Sequence, residues 1–225
     1  MKKYLLLIVF GIILSFYSFS QEKAYFTSGG EMIFSFASIN DGEEPGNLMR
    51  WTPWFNIQGM INYDLAKKIG LFSGLAIRNV GYIYDNYTLI QDGEEITVKK
   101  KFRTYNLGIP FGIKFGNLDK TFVYAGYELE FPFHYKEKTF QDEKKDKFSV
   151  WFSDRVEAFQ HGLFVGFQLP YGMNIKFKYY FSSFHNMDYT ESDGNKPYAD
   201  LNTNIFYFSF NYNMFKGTKF DPGSE

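Results

Sequence analysis

Three histidines, His134, His161 and His185, are the side chains here that could move protons near neutral pH at an ordinary pKa. Beside a serine or a carboxylate, a histidine can activate a nucleophile or donate a proton, which is the chemistry of an enzyme that modifies a membrane lipid. His161 lies inside an apolar run, and no serine or carboxylate stands at a telling spacing from it. It reads as an interface aromatic that can hydrogen-bond a lipid headgroup. His134 and His185 fall at the mouths of loops and read as solvated. The chain has no cysteine, which excludes thiol nucleophiles, disulfides and zinc-thiolate sites. Asp92, Glu94 and Glu95, and then Asp142, Glu143 and Asp146, lack the order of a calcium loop and read as loop charges. These residues predict no catalytic group, cofactor or metal.

A second chemically capable set consists of charges at alternate positions of aromatic stretches: Arg78, Lys114, Lys176 and Lys178 against Glu31, Asp64, Glu128 and Glu130. The element that holds them is legible in residues 105–116, YNLGIPFGIKFG. The odd positions, Tyr105, Leu107, Ile109, Phe111, Ile113 and Phe115, are apolar. The even ones, Asn106, Gly108, Pro110, Gly112, Lys114 and Gly116, are small, polar or charged. A period of two is that of a β-strand, so Lys114 points away from the greasy face. Pro110 lacks an N–H, so a bulge or a missing ladder bond is expected there.

The same split recurs over 55–64, 123–133, 159–169, 173–182 and 204–214, and less cleanly over 31–37 and 71–84. In the first of these, Phe55, Ile57, Ile61 and Tyr63 share the apolar face. The connections alternate. Those at 38–53, 85–98, 136–152 and 184–203 are long and polar, and those at 66–70, 116–120 and 170–172 are short. Even strand number, with long loops on one end and tight turns on the other, predicts an all-β fold: an eight-stranded antiparallel up-and-down transmembrane β-barrel. Aromatic residues make up 22% of the chain, more than a soluble core needs, while the mean hydropathy is slightly negative. Alternating lipid-facing and lumen-facing residues reconcile the two. A net charge of −1 gives no bulk pull towards nucleic acid.

The N-terminus, MKKYLLLIVFGIILSFYSFSQ, reads as a cleaved signal peptide. Lys2 and Lys3 precede an apolar run, and Ser18 and Ser20 stand at the −3 and −1 positions of a cut before Gln21. Residues 1–20 are then the signal and 21–225 a single barrel domain, with strands over about 29–215 and a short polar tail.

YNLGIPFGIKFG, followed by a tight turn and FVYAGYELEF, resembles the small outer-membrane β-barrels common in Bacteroidota, described as PorT-like or OmpA-like. The resemblance covers about 29–215 in layout and is specific over about 105–131. It implies an outer-membrane barrel with periplasmic termini, without one defined activity. Some members are accessory parts of secretion or assembly complexes.

A barrel of eight strands has an interior just wide enough for side chains to fill. Charges there must pair, because an unpaired buried charge is costly. The expected lumen network is Arg78, Lys114, Glu128, Glu130, Lys176 and Lys178, a plug rather than a channel. The cross-lumen partners of Glu128 and Glu130 are Arg78, Lys176 and Lys178. Lys99, Lys100 and Lys101 sit at an outer strand end, within reach of lipid phosphates. In the loop segment KFSVWFSD (147–154), Phe148, Val150, Trp151 and Phe152 could dock a partner. The expected partners are outer-membrane lipid or lipopolysaccharide and other outer-membrane proteins, with no nucleic acid. The leading reading is a non-enzymatic structural or accessory barrel of the Gram-negative outer membrane. The alternatives are a lipid A-modifying enzyme and a narrow pore.

Overall fold

Alternation turns most of this chain into strand. The computed structural model describes residues 24–40, 47–91, 94–141 and 144–217. The signal-peptide region, the start at Gln21, the end of the tail, and Asp92, Asp142 and Glu143 lie outside the described residues. The elements are β1 (Ala24–Asn40), β2 (Asn47–Leu48), β3 (Arg50–Thr52), β4 (Ile57–Ala66), β5 (Ile69–Gln91) and β6 (Glu94–Asn117). After them come β7 (Thr121–Gln141), β8 (Lys144–Trp151), β9 (Gln160–Gln168), β10 (Met173–Tyr180) and β11 (Asn202–Lys216).

Eight of these, β1, β4, β5, β6, β7, β9, β10 and β11, pair in that order, each antiparallel to the next. The ring closes where β11 returns to β1, from Thr27 opposite Lys216 to Asn40 opposite Asn202. Closure leaves the ring no open edge, which a spanning sheet requires. The remaining short strands decorate the long-loop end. β2 pairs with β5, β3 with β1 and β8 with β7. The tight turns gather at the other end. One of them, Pro170–Gly172, puts Tyr171 at φ 63° and Gly172 at φ 83°.

Three expectations need correction. The stretch 85–98 is a hairpin, because β5 runs to Gln91 and β6 starts at Glu94. Likewise 136–152 is mostly strand, with β7 reaching Gln141 and β8 returning along it. These extensions rise beyond the membrane, so their outward residues need not be apolar, and a search for an apolar face passes over them. Register irregularities at Tyr84/Tyr87 and Tyr105/Asn106 also break the parity count. Finally, Phe55 does not belong to a strand. It has φ 65°, and β4 begins at Ile57.

At Pro110 the β5–β6 register runs on without a shift, from Ser73 opposite Phe111 to Ala76 opposite Gly108. The missing N–H is absorbed as an omitted ladder bond, not a bulge. Ser73 Oγ donates to the Pro110 carbonyl at 3.0 Å.

Outside, Ile61, Leu75, Phe111, Phe115, Val165, Phe208 and Phe210 form an exposed apolar belt; Phe115 is 62% exposed. Inside, the chemistry changes with height. Near the turns it is mixed and loosely packed, at mid-height it is ionic, and towards the long loops it is apolar. Ile33, Val80, Tyr82, Phe102, Ile205 and Tyr207 pack there, capped by Phe184, Tyr198 and Leu201 of the last long loop.

Candidate functional site

Each of the eight ring strands sends a polar side chain into the middle of the lumen. Arg78 of β5 is the hub. Its Nη1 lies 2.5 Å from Glu31 of β1, its Nε 3.1 Å from Glu128 of β7, and its Nη2 donates to Gln58 of β4 at 2.9 Å. Lys178 of β10 bridges Glu128 at 2.6 Å and Glu130 at 2.5 Å. Lys176 reaches Glu31 at 2.8 Å, and Ser209 of β11 donates to the same carboxylate. Glu130 also accepts from Tyr180 at 2.7 Å and from Asn106 of β6 at 2.6 Å, and Asn106 donates to Gln160 of β9 at 2.9 Å.

Glu31, Arg78, Glu128, Glu130, Lys176 and Lys178 are all buried and balance in charge. Glu31, Arg78 and Glu128 each have charged partners on two strands, Glu130 is bonded again by Tyr180 and Asn106, Lys178 holds two carboxylates of β7, and Lys176 holds both oxygens of Glu31; a buried charge is tolerated when it is paired and bonded in this way. Gly108 makes room for this layer, since a Cβ there would stand 2.5 Å from Glu128 Oε1.

Lys114 sits lower, in a separate group. Its Nζ bonds Asp64 at 3.0 Å, the Tyr25 hydroxyl at 3.0 Å and Asn62 at 3.2 Å. Between it and the ionic layer lies a cavity of about 290 Å³ that opens at the turn end, with Phe72, Tyr124, Phe164 and Asn174 in its wall. Its rings fit because glycines face them. Gly112 stands opposite Phe72, Gly126 opposite Phe164, and Gly166 opposite Tyr124.

Of the two histidines read as solvated, His185 is enclosed and His134 is half-buried on the outer face. His185 is fully buried in the upper core. It stacks on Tyr198 with centroids 4.3 Å apart, and its Nε2 lies 2.9 Å from the Tyr82 hydroxyl. Burial pushes it down to about 3, so it is neutral. His134 is stacked against Trp151 at 4.3 Å and Tyr105 at 5.7 Å, and its Nε2 meets Ser149 Oγ at 2.8 Å. His161 faces outward between Tyr127 and Phe181.

Phe148, Val150, Trp151 and Phe152 do not form one surface. On β8, Phe148 and Val150 pair with Glu137 and Tyr135 on the inner face, where Arg155 covers the Phe148 ring at 4.7 Å and Val150 packs against the core. Trp151 turns outward with His134, and Phe152, at φ 49°, lies beyond the strand. Lys100 also differs from its neighbours. It points inward to Glu137 at 2.6 Å, while Lys99 and Lys101 alternate to the outside. The His134–Ser149 pair escaped the sequence reading because it joins different strands across a hairpin.

An apolar exterior around an ion-paired interior, in a closed sheet, satisfies every demand a bilayer makes. The chain is an eight-stranded transmembrane β-barrel. No family model and no curated protein matches it. Among solved structures, it is similar to Ail, the attachment invasion locus protein of Yersinia pestis. The identity is 14% over 89% of this chain and 100% of that one, with a TM-score of 0.40. It is also similar to Neisserial surface protein A, at 12% identity over 87% and 97% of the two chains and a TM-score of 0.38. The N-terminal barrel domain of Pseudomonas aeruginosa OprF matches at 11% identity over 86% and 100%, with a TM-score of 0.25. At these values the likeness extends no further than the fold.

Proposed function

We propose that this barrel is a non-conducting, non-enzymatic anchor in the Gram-negative outer membrane, serving as a structural or accessory subunit of an envelope assembly. One observation carries the reading: the ionic layer, fed by all eight ring strands, occupies the lumen at mid-height with buried, mutually bonded side chains. A path for ions would have to break those pairs. The resemblance over 105–131 to PorT-like barrels supports the accessory role, as do Trp151 and Phe152, 61% and 76% exposed at the outer rim. Planar bilayers test the closed lumen. The parent protein is expected to give no unitary steps, and steady conductance would overturn the reading. Affinity capture from detergent-solubilised envelopes tests the accessory role. A defined outer-membrane partner should be retained by the parent and lost on Trp151→Ala with Phe152→Ala; retention of no partner by the parent would leave a purely structural barrel.

A second reading has one observation in its favour. The His134–Ser149 pair lies on the outward side at the rim, a base next to a potential nucleophile where lipid headgroups would be. If it acts on lipid A, expression of the parent changes the lipid A mass and Ser149→Ala abolishes the change. An unchanged lipid A mass removes this reading.

A further inference from the structure

The outward face of β6, β7 and β8 places like charges side by side. Lys101 is directly opposite Lys138, which is directly opposite Lys147. One step nearer the membrane, Arg103 is opposite Lys136, and one step further out Lys99 and Lys145 flank Phe140. Like charges in directly opposed positions destabilise a sheet. The same strands show how the conflict can be avoided, since on the inner face Lys100 faces Glu137 at 2.6 Å. Outside, Lys99 has Asp85 at 3.1 Å. Among the described residues no carboxylate lies within ion-pair distance of Lys101, Arg103, Lys136, Lys138 or Lys147.

The position of this face is as specific as its charge. Followed along β6, one unbroken outward column runs Ile113, Phe111, Ile109 and Leu107, then Tyr105, then Arg103, Lys101 and Lys99. Its neighbours change in step. At the Tyr105 level the row is Phe55, Tyr105, His134 and Trp151, each ring touching the next. Aromatic rows of this kind lie at the membrane interface. Each further pair of residues climbs about 5 Å along the barrel axis, from strand rise and tilt. Arg103 and Lys136, and then Lys101 and Lys138, therefore stand about 5 and 10 Å above the aromatic row, on the side that faces lipid. Two of the cations are already drawn to the rings: Arg103 and Lys136 lie 5.9 and 5.5 Å from the Tyr105 centroid.

We propose that this face is a binding site for the phosphate groups of an outer-leaflet lipid headgroup, with Lys101, Arg103, Lys136 and Lys138 as its centre. The alternation of hydrocarbon, aromatic and cation along one column matches acyl chain, interface and phosphate in a single lipid leaflet. A bound phosphate supplies the anion that the opposed cations lack. Burial, and after it the charges of Arg50, Arg103 and Lys138, already push Lys101 down to about 8, as expected where cations crowd without a counter-ion. The site goes beyond the closed-lumen reading and is independent of it, because none of these four side chains enters the lumen.

The test uses the full barrel in a phosphate-free detergent, with diphosphoryl lipid A, dephosphorylated lipid A and inorganic pyrophosphate as probes. The variant is Lys101→Gln, Arg103→Gln, Lys136→Gln and Lys138→Gln combined. The control replaces Lys67, Lys68 and Lys120, at the turn end, by Gln. The affinity for diphosphoryl lipid A is expected to fall at least tenfold in the variant and to stay within twofold in the control. Dephosphorylated lipid A should bind the parent at least tenfold more weakly than the diphosphoryl form. Without lipid, at low salt, the variant's urea midpoint should rise above the parent's, because opposed charges have been removed; a misfolded variant would show the reverse. Equal lipid A affinity in variant and parent overturns the proposal, and so does indifference to the lipid phosphates. Displacement of lipid A by an equal concentration of pyrophosphate overturns the lipid assignment in favour of a free-anion site. The variant's bilayer conductance should match the parent's, so a conducting parent would end the closed-lumen reading and leave this one standing.

Discussion

The lower and upper halves of β6 turn their side chains the same way and invert their chemistry. From Phe115 to Leu107 the outward residues are apolar, and the inward ones include Lys114, Gly112 and Gly108. From Arg103 to Lys99 the outward residues are cations, and the inward ones are Thr104, Phe102 and Lys100, with Val98 beyond. The barrel is thus inside-out within the membrane and conventionally packed above it, with no change in facing between. What changes is the medium against the outer wall. Lipid makes an apolar exterior favourable and forces charges inward to pair, whereas water above reverses both preferences.

The same kind of mutation should therefore have opposite weight in the two halves. The largest effect is expected inside the membrane. Glu128→Ala leaves Arg78 and Lys178 with one carboxylate each and the dry layer one negative charge short, and should cost about 3–5 kcal/mol in urea unfolding. Glu94→Ala, exposed on the upper hairpin, should fall within about 0.5 kcal/mol. An unchanged midpoint for Glu128→Ala would mean that water fills the layer, and the pore reading would take its place.

Next come two phenylalanines. Phe102→Ala opens the upper core and should cost about 3 kcal/mol, while Phe111→Ala, on the lipid belt, should cost less than about 1 kcal/mol because its ring meets lipid in the folded state. Single cysteines sharpen the same point. At Leu107, Ile109, Phe111 and Ile113 they should react with lipid-soluble probes, and at Lys101 only with water-soluble ones. Equal labelling at Leu107 and Lys101 would remove the boundary.

The pH dependence separates the halves again. His185 is held down at about 3 against an ordinary value near 6.5, so the folded state resists its protonation. Its contribution is complete above about pH 6.5. It is lost as pH falls towards 3, at about 1.4 kcal/mol per pH unit. The protection factors of the amides in 184–201, with the intrinsic exchange rate divided out at each pH, should therefore fall below pH 6 while those of the membrane-embedded strands hold. His185→Phe should flatten that response, and a loop that opens at the same pH in the variant would show that His185 is not responsible. The smallest effect is at the rim. Trp151→Ala removes the stack on His134 and should cost about 1 kcal/mol, read as a small drop in urea midpoint.

Much of this was written locally. The alternation in YNLGIPFGIKFG is enough to place Lys114 on the face opposite Phe111, because a strand has no other way to arrange neighbouring side chains. The count of such stretches and the uneven connections gave the eight-stranded ring. The burial of Glu128 and Glu130 with Arg78, Lys176 and Lys178 on one wall or another followed from the size of the lumen. Which charges meet was not local. Lys114 belongs with Asp64 and Tyr25 near the turns, while Lys176, also inward, belongs with Glu31 and Arg78. That choice depends on the stagger between strands distant in sequence, which closure of the ring alone fixes. The same holds for His185, whose loop folds back under Tyr198, and for KFSVWFSD, which pairing with β7 splits into two faces. The sequence by itself determined which way each side chain points relative to its own strand, because that is backbone geometry. The tertiary structure decided how high each one stands and what it faces, because height and partners are properties of the closed barrel and of the medium around it.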